Sequence, residues 1–379
     1  MDEIKNILKK FQDAYINRDL ERIDSFVEEV FLDSDDISIL GTATEEVFFG
    51  KSKVKELIEG DFKYWGDLNL DCENANITIH EDIAWFFTDG TVKYVFKDDE
   101  GKDDRYLEFI KNKLQDNTLT EKQRISFINW ALTLAYNKRS SSERKYLWPM
   151  CLSGFLIKAD GRWKIYHLQF SMTKSNFPDE RFENSLEFKD SYDRQRDIIK
   201  NNRTKELDNF MKDFSKDVIG NPRLSKMIIS KYFNNKKVTI ISPENKYYKG
   251  EDEIYNYLTT KAGENLDLEI ENINATKVCN YYYIMATGLL KVCMEEKELI
   301  NRCFNEVEKI ESSTLNSREK LFKIQRSIAA SLKEIASEEI YTFPIRMTAV
   351  IEDNKYNMMF NFIHFSFPYY WTLEGKVDC

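Results

Sequence analysis

The sequence predicts an α+β fold made of two similar domains, and three features of the 379-residue chain lead to that prediction. Each half opens with segments whose apolar residues recur every three or four positions, which is typical of amphipathic helices. Each half then changes to an alternation of apolar and polar residues, which is typical of antiparallel strands. The stretch from Tyr146 to Thr173 also returns in degenerate form from Thr342 to Pro368. A pattern repeated over most of a chain indicates a duplicated domain.

The first half is predicted to run from helices into strands. The first predicted helix has Ile4, Leu8, Phe11 and Tyr15 on one face, and it ends at a break at Asn17-Arg18-Asp19. A second helix capped by Asp19 follows, then a strand over 37–40 and a third helix after Gly50. Strands are predicted from Leu68 onward, with turns at Glu81-Asp82 and Asp160-Gly161. Together they predict helices packed on a curved antiparallel sheet.

The strands are interrupted in both halves by helical pattern, at about 103–145 and about 295–340. The first insert includes the apolar residues Phe127, Ile128, Ala131, Leu132 and Leu134. Residues 176–202 are charged and show no clear apolar face, so we expect a linker there. The predicted domains are therefore 1–175 and 203–379.

The two halves correspond position by position. The matched positions are Gly50 with Gly250, Asp89-Gly90 with Thr287-Gly288, Cys151 with Arg346, Gln169 with His364, and Tyr15 with about Phe214. The scaffold is thus repeated, whereas several polar residues differ between the copies.

Composition excludes some classes of function. The net charge of −10 argues against nucleic acid or an anionic membrane as the main partner, because a phosphate backbone needs a basic surface. The six cysteines lack C-x-x-C spacing, the N-terminus is not a secretory signal, and no apolar run reaches about 20 residues. We therefore expect a cytoplasmic protein. Phosphate-binding and dinucleotide-binding glycine motifs are absent from the sequence, so no cofactor is predicted.

The order of elements resembles the nuclear-transport-factor-2-like superfamily, in particular its SnoaL-like members. The matching features are the break at Asn17-Arg18-Asp19, Gly50 before the third helix, Trp163-Lys164-Ile165 followed by Gln169-Phe170-Ser171, and in the second copy Phe343-Pro344-Ile345-Arg346 and His364-Phe365-Ser366. The resemblance implies two cone-shaped domains, each with a cavity at its wide end. The superfamily contains isomerases, dehydratases and polyketide cyclases as well as non-catalytic binding and assembly domains, so the fold does not settle the function.

The chain has three histidines, none at metal-ligand spacing, and no metal site is predicted. His80 is expected at a solvated strand end. His167 alternates with Ile165 and Gln169, so these three are expected on one sheet face, which would line the cavity if it is the concave one. His364 would contribute an imidazole to the second cavity. The alternative is a strand histidine with a satisfied hydrogen bond, or one on a solvated outer face.

The resemblance implies that an enzyme of this fold that abstracts a proton next to a carbonyl uses a carboxylate base and hydroxyl donors in an apolar cup. Asp89, after Trp85-Phe86-Phe87, is the best-placed carboxylate, and Tyr15 is the best-placed donor. Thr287 replaces Asp89 in the second copy. Asp89 is otherwise a turn residue before Gly90, which we favour because Asp-Gly is a common turn pair.

Further ligand contacts are expected from residues that combine a strand position with an aromatic or polar side chain. The candidates are Trp65, Trp85, Gln169, Tyr283, Arg346 and His364. Arg346 could bind a carboxylate ligand or pair with a neighbouring acid, and the structural pair is favoured. Aromatic strand residues are core residues more often than ligand contacts.

These observations favour a protein that binds a small apolar or carbonyl-containing molecule in one or both cavities, without catalysis. The alternatives are an isomerase, dehydratase or cyclase confined to the first domain with Asp89 and His167, and a protein-interaction or assembly module that uses the inserts. Because single-domain relatives pair through their sheets, we expect the two domains to form an intramolecular pseudo-dimer that is a monomer in solution.

Overall fold

Two β-sheets, each packed against its own helices, make up the computed structural model of this chain. The structure describes residues 1–97, 102–117, 143–172, 186–233, 238–262, 266–294, 296–315, 339–354 and 357–368, with a few single positions between these ranges. The predicted α+β fold class is confirmed. The domain limits 1–175 and 203–379 remain predictions.

The first sheet belongs to the N-terminal half. The helices of this half are α1 (Asp2–Asn17), α2 (Ile23–Val30), α3 (Lys51–Tyr64) and α4 (Lys102–Gln115). The strands are β1 (Ser38–Leu40), β2 (Val47–Phe49), β3 (Asp67–Leu70), β4 (Asn76–His80), β5 (Ile83–Lys97), β6 (Glu143–Ala159) and β7 (Arg162–Met172). The sheet order is β2-β1-β7-β6-β5-β3, with β4 also paired to β5. Among the described strands of this sheet, only the β1–β7 pair is parallel.

The second sheet repeats this plan. Helix α5 (Leu186–Ile198) precedes it, followed by α6 (Lys205–Val218), α7 (Lys226–Tyr232), α8 (Gly250–Ala262) and α9 (Glu296–Glu311). The strands are β8 (Thr239–Ile241), β9 (Tyr247–Lys249), β10 (Leu266–Val278), β11 (Tyr281–Met294), β12 (Glu339–Asp353) and β13 (Met358–Ser366). Their order is β10-β11-β12-β13-β8-β9. Strands β11, β12, β13, β8 and β9 correspond to β5, β6, β7, β1 and β2 of the first sheet, and β10 occupies the place of β3 and β4.

The long hairpin of β6 and β7 turns at Asp160-Gly161, as predicted, with positive φ angles of 50° and 76°. Its register shifts by one residue at Tyr166, because Phe155 pairs with His167 whereas Leu156 pairs with Ile165. A bulge of this kind moves the residues on either side of it to opposite faces. The prediction that Ile165 shares a face with His167 is therefore wrong, and Ile165 instead packs in the core beside Phe31.

Each sheet has two buried faces. The inner face of the first sheet carries Leu168 and Phe170 and packs on the helices, where the rings of Phe11 and Phe170 lie 6.2 Å apart. The outer face packs against the outer face of the second sheet, where Phe155 stacks on Tyr283 at 4.7 Å. Because both faces are covered there, residues 150–156 of β6 and 165–172 of β7 are buried.

The segment expected to be a linker contains α5, and that helix has a buried face. The face is formed by Phe188, Ser191, Tyr192 and Gln195, at helical spacing. Two of the four are polar, which explains why residues 176–202 show no clear apolar face in the sequence. In the inserts, α4 and α9 are helical as predicted, whereas Phe127, Ala131, Leu132 and Leu134 lie outside the described residues. Within the described part of the chain, every helix is too short or too polar to cross a lipid bilayer.

Candidate functional site

A phenol and a carboxyl group meet inside the first cone. The Tyr15 hydroxyl donates a hydrogen bond to Asp61 Oδ2 at 2.8 Å. Tyr15 is the fourth member of the buried stripe of α1, so its ring points into the cone. Asp61 lies on α3 four residues after Leu57 and seven after Val54, both of which are buried, so helical periodicity carries its carboxyl to the inner face.

The Asp61 carboxyl lines a pocket of about 230 Å³, a volume that includes the solvent space at its mouth, and the enclosed part has room for about one water molecule, about 10 Å³. The lining residues are Gly41, Thr42, Glu46, Leu57, Asp61, Trp65 and Phe170. Trp65 and Phe170 form an aromatic wall, with their rings edge to face at 5.7 Å, and Tyr15 packs edge to face on Trp65 at 6.0 Å. The pocket is therefore small, with one apolar wall and one acidic side.

The carboxyl of Asp61 is strongly perturbed. Its pKa is raised from 3.8 to about 8, first because burial disfavours the charged form and then because the negative charge of Glu46 lies near it. The Tyr15 hydrogen bond and the Arg18 guanidinium act in the opposite direction. Burial, followed by the charge of Asp61, also raises the pKa of the Tyr15 phenol well above its ordinary value. At neutral pH, the pair is therefore a neutral acid beside a neutral phenol.

A buried turn supplies the other acidic side chain. Glu46 Oε2 accepts hydrogen bonds from the Ala43 backbone N–H at 2.9 Å and from the Thr42 hydroxyl at 3.3 Å. Gly41 lies against the same carboxylate, so closely that a Cβ atom at this position would collide with it. The turn thus fixes Glu46 at the edge of the pocket and requires glycine at residue 41.

The second cone lacks these groups. The buried residues of α1 and α6 share the spacing 4, 3, 4, which aligns Tyr15 with Val218 and Phe11 with Phe214. The sequence comparison that placed Phe214 near Tyr15 is therefore wrong by one turn. With Gly50 aligned to Gly250, Asp61 and Glu46 correspond to Lys261 and Lys246. Lys261 pairs with Glu244 at 3.6 Å, so the acidic site is confined to the first copy among the described residues.

A segment at the start of the chain is similar to a known protein family. Residues 4–110 match the profile of the SnoaL-like domain family. This segment of the chain is similar to that family. The matched segment contains Tyr15, Glu46 and Asp61 and ends within α4, ahead of the long hairpin. No curated protein sequence matches the chain.

Solved structures similar to this chain include nuclear-transport-factor-2-like proteins. One is a superfamily protein from Salmonella enterica serovar Typhimurium, with 12% identity, 45% of this chain and 89% of that chain covered, and a TM-score of 0.29. Another is a protein of unknown function from Pseudomonas putida, with 13% identity, 48% and 90% covered, and a TM-score of 0.28. A third, with a cystatin-like fold, is from Nostoc punctiforme, with 12% identity, 46% and 90% covered, and a TM-score of 0.27.

The histidines expected in the cavities lie instead between the two sheets. The His364 ring contacts the Ser153 hydroxyl at 2.7 Å and the Ser171 hydroxyl at 2.8 Å. His167 contacts the Ser38 hydroxyl at 2.9 Å. Gln169 donates to Ser366 at 2.9 Å. Alternation correctly groups His167 with Gln169, but their face is the outer one, which the second sheet covers.

Both interfacial imidazoles are neutral. Burial lowers the pKa of His364 to about 3, and burial together with the nearby His364 lowers the pKa of His167 well below its ordinary value. His80, by contrast, lies partly exposed at the rim, stacked on Trp85 at 5.3 Å.

Asp89 and His167 do not share a buried pocket with each other or with Tyr15. Asp89 is exposed and accepts a hydrogen bond from the Tyr247 hydroxyl of the second domain. The favoured turn at Asp89-Gly90 is also wrong, because β5 continues through both residues and pairs them with Cys151 and Met150. The glycine is needed for another reason, since a Cβ there would crowd the Asn69 carbonyl.

Of the expected ligand contacts, Trp65 is the one that lines the pocket in the described part of the chain. Trp85 and Tyr283 pack at the interface between the sheets. The Arg346 guanidinium donates to backbone carbonyls and to Gln195, so the favoured pairing with a neighbouring acid is not formed among the described residues. Among the described residues, no three metal-ligating side chains cluster.

Asp61 and Glu46 were missed by sequence reasoning. For Asp61 a signal existed, since it falls on the apolar stripe of α3 defined by Val54, Leu57 and Ile58. A carboxylate on such a stripe has to be buried or paired, which makes it a candidate for an altered pKa. Glu46 lies in a turn without periodicity, so no comparable signal exists.

Proposed function

We propose that the SnoaL-like domain binds a small neutral molecule with a carbonyl or hydroxyl oxygen in the pocket beside Tyr15 and Asp61. The observation that supports this most is the Asp61 carboxyl, whose pKa of about 8 leaves it protonated at neutral pH. A protonated carboxyl can donate a hydrogen bond to a ligand oxygen, which an ionised one cannot do.

The surroundings of Asp61 favour the same class of ligand. Trp65 and Phe170 offer an apolar wall of the kind that small-molecule sites use to hold planar or hydrophobic groups. Glu46 places a negative charge at the pocket, so an anionic ligand would be repelled. A neutral ligand with one acceptor oxygen satisfies both conditions.

Acetophenone is a suitable probe, because it carries one carbonyl oxygen and one ring. We expect saturation-transfer NMR to detect binding to the full chain at about pH 6 and to lose it at about pH 9, where Asp61 ionises. The Asp61→Asn variant keeps a neutral donor, so it should bind at both pH values. Benzoate, which has the same ring with a negative charge, should give no signal.

The second domain offers a matched control. Tyr232 donates to Asp217 Oδ2 at 2.7 Å, so this is another phenol–carboxylate pair, away from the pocket. Asp217→Asn should leave the pH profile of acetophenone binding as in the unmodified protein. An unmodified protein that binds equally at both pH values, or that does not bind at the lower one, contradicts the proposal.

A second candidate function is proton transfer on a carbonyl compound, as in an isomerase or dehydratase. It is favoured by the same raised pKa, because a general acid or base works best when its pKa is near the working pH. In D₂O, the methyl protons of acetophenone should then exchange for deuterium faster with the unmodified protein than with Asp61→Asn. Binding without accelerated exchange would leave the domain a binding site and exclude this activity for the probe.

A further inference from the structure

One side chain of the second domain reaches into the first domain and is wholly buried there. Arg346, on β12, donates from Nη1 to the Gly41 carbonyl at 2.6 Å and from Nη2 to the carbonyls of Ala43 at 2.6 Å and Thr44 at 3.0 Å. Its Nε donates to Gln195 Oε1 of α5 at 2.6 Å. All three nitrogens of the guanidinium are therefore used, and it is 0% exposed.

The three carbonyls belong to the turn that forms one side of the pocket. Gly41 and Thr42 line the pocket, and the turn also carries Glu46, which acts on the charge state of Asp61. The arginine thus binds the backbone of this turn at three carbonyls. Ser191 of α5 adds a fourth point through the Thr44 hydroxyl at 2.6 Å.

On the opposite side of the interface, different groups hold the equivalent turn: Ser171 of β7 donates from its hydroxyl to Asn245 Oδ1 at 2.8 Å and accepts at its carbonyl from Asn245 Nδ2 at 3.0 Å. The position equivalent to Arg346 is Cys151, as the pairing of Arg346 with Ser366 and of Cys151 with Ser171 shows. Cys151 contacts Tyr247 Oη at 3.5 Å and is too short to reach a turn in the same way. The multidentate arginine contact is therefore made only to the turn beside the acidic pocket among the described residues.

We propose that Arg346 is a positioning residue for the pocket of the first domain, so that the second domain shapes a site it does not itself contain. The inference rests on the proposed function for the meaning of the pocket, but the geometry of the turn can be tested without a ligand. A planar guanidinium suits this task, because its fixed fork of donors can bridge several carbonyls at once, whereas a lysine ammonium cannot span them.

The test measures the titration of Asp61 directly, by ¹³C NMR of protein labelled at aspartate carboxyls, with Asp61→Asn used to assign the signal. In the unmodified chain we expect a midpoint of about 8. Without the arginine the turn is released, water reaches the carboxyl and Glu46 moves away, so the midpoint in Arg346→Met should fall by about one pH unit or more. Arg346→Lys, which keeps the charge and loses the fork, should fall between the two.

Tyr166→Phe is the control for damage to the interface. It removes the hydrogen bond between Tyr166 and Thr276, which joins the two domains away from the turn. This variant should leave the Asp61 midpoint unchanged. If Arg346→Met does not fold, Gln195→Leu removes only the Nε acceptor and should lower the midpoint by a smaller amount.

The outcomes separate the two proposals. A folded Arg346→Met with an unchanged Asp61 midpoint overturns the positioning role, as does an equal shift in Tyr166→Phe. A midpoint that falls in Arg346→Met alone supports it, even when acetophenone fails to bind the unmodified chain, which would defeat only the proposed function.

Discussion

Replacing Asp61 by asparagine should stabilise the folded protein at alkaline pH. In the folded state the pKa of Asp61 is about 8, well above its ordinary value of 3.8, so the folded state holds the proton more tightly than the unfolded state. Stability from this group is therefore present at low pH and is lost as the pH rises from about 4 to about 8, with no further loss above that. Asparagine does not titrate, so the variant escapes the loss.

The size of the effect follows from the pKa shift. About four pH units at about 1.4 kcal/mol each give an upper limit of about 6 kcal/mol for ionising Asp61 in the folded protein. The side chain is only partly buried by its accessible surface, so water screens part of this cost. We therefore expect a gain of about 2 to 3 kcal/mol at about pH 9 and little change at about pH 4.

Urea unfolding at both pH values measures the difference in free energy of unfolding between Asp61→Asn and the unmodified protein, with Asp217→Asn as the matched control variant. The amide oxygen of asparagine can still accept the Tyr15 hydroxyl, so the hydrogen bond is retained. If the Asp61→Asn variant is less stable than the unmodified protein by the same amount at both pH values, the carboxylate stabilises the fold and its raised pKa is refuted.

Three other perturbations test the surroundings of this site. Burial lowers the His364 pKa from 6.5 to about 3, so the unfolded state takes up the proton first and acidification destabilises the folded protein, by about 2 kcal/mol at about pH 5. The His364→Gln variant should lose less stability on acidification than the unmodified protein. Urea titration checks this, with the half-exposed His80→Gln as the control. Tyr15→Phe should raise the Asp61 midpoint above about 8 in ¹³C NMR, since the hydroxyl stabilises the charged form; an unchanged or lower midpoint would contradict that role. Light scattering should give a single-chain mass of 45.0 kDa, and a stable dimer would contradict the predicted pseudo-dimer.

The sequence was sufficient for features determined by neighbouring residues. Gly50 and Gly250 stand at the start of the third helix of each copy with φ angles of 81° and 73°, which favour glycine. The Asp160-Gly161 turn likewise has positive φ angles at two residue types that tolerate them. The repeat supplied the correspondence of Cys151 with Arg346 without any coordinates. These predictions depend on local geometry or on counting along a strand.

The faces of the sheets could not be predicted in the same way. Alternation groups His167 with Gln169, but it does not say whether helices or a second sheet will cover their side, because both sides are buried. The bulge at Tyr166 moved Ile165 to the other face, and nothing in the alternating pattern marks the extra residue. The backbone carbonyls that Arg346 contacts lie about 300 positions away along the chain, so only the packing of the two sheets reveals them.

The duplication separates what the fold needs from what the site needs. The second copy builds the same helices and sheet with Val218 and Lys261 in place of Tyr15 and Asp61, so the phenol–carboxyl pair is not required to form the cone. In the first copy, that pair places a carboxyl where ionisation opposes folding. A group that the fold can omit and that lowers stability at neutral pH is explained by the chemistry it offers in the pocket. Arg346 supports the same division, because the copy without the pair provides the side chain that fixes the turn beside it.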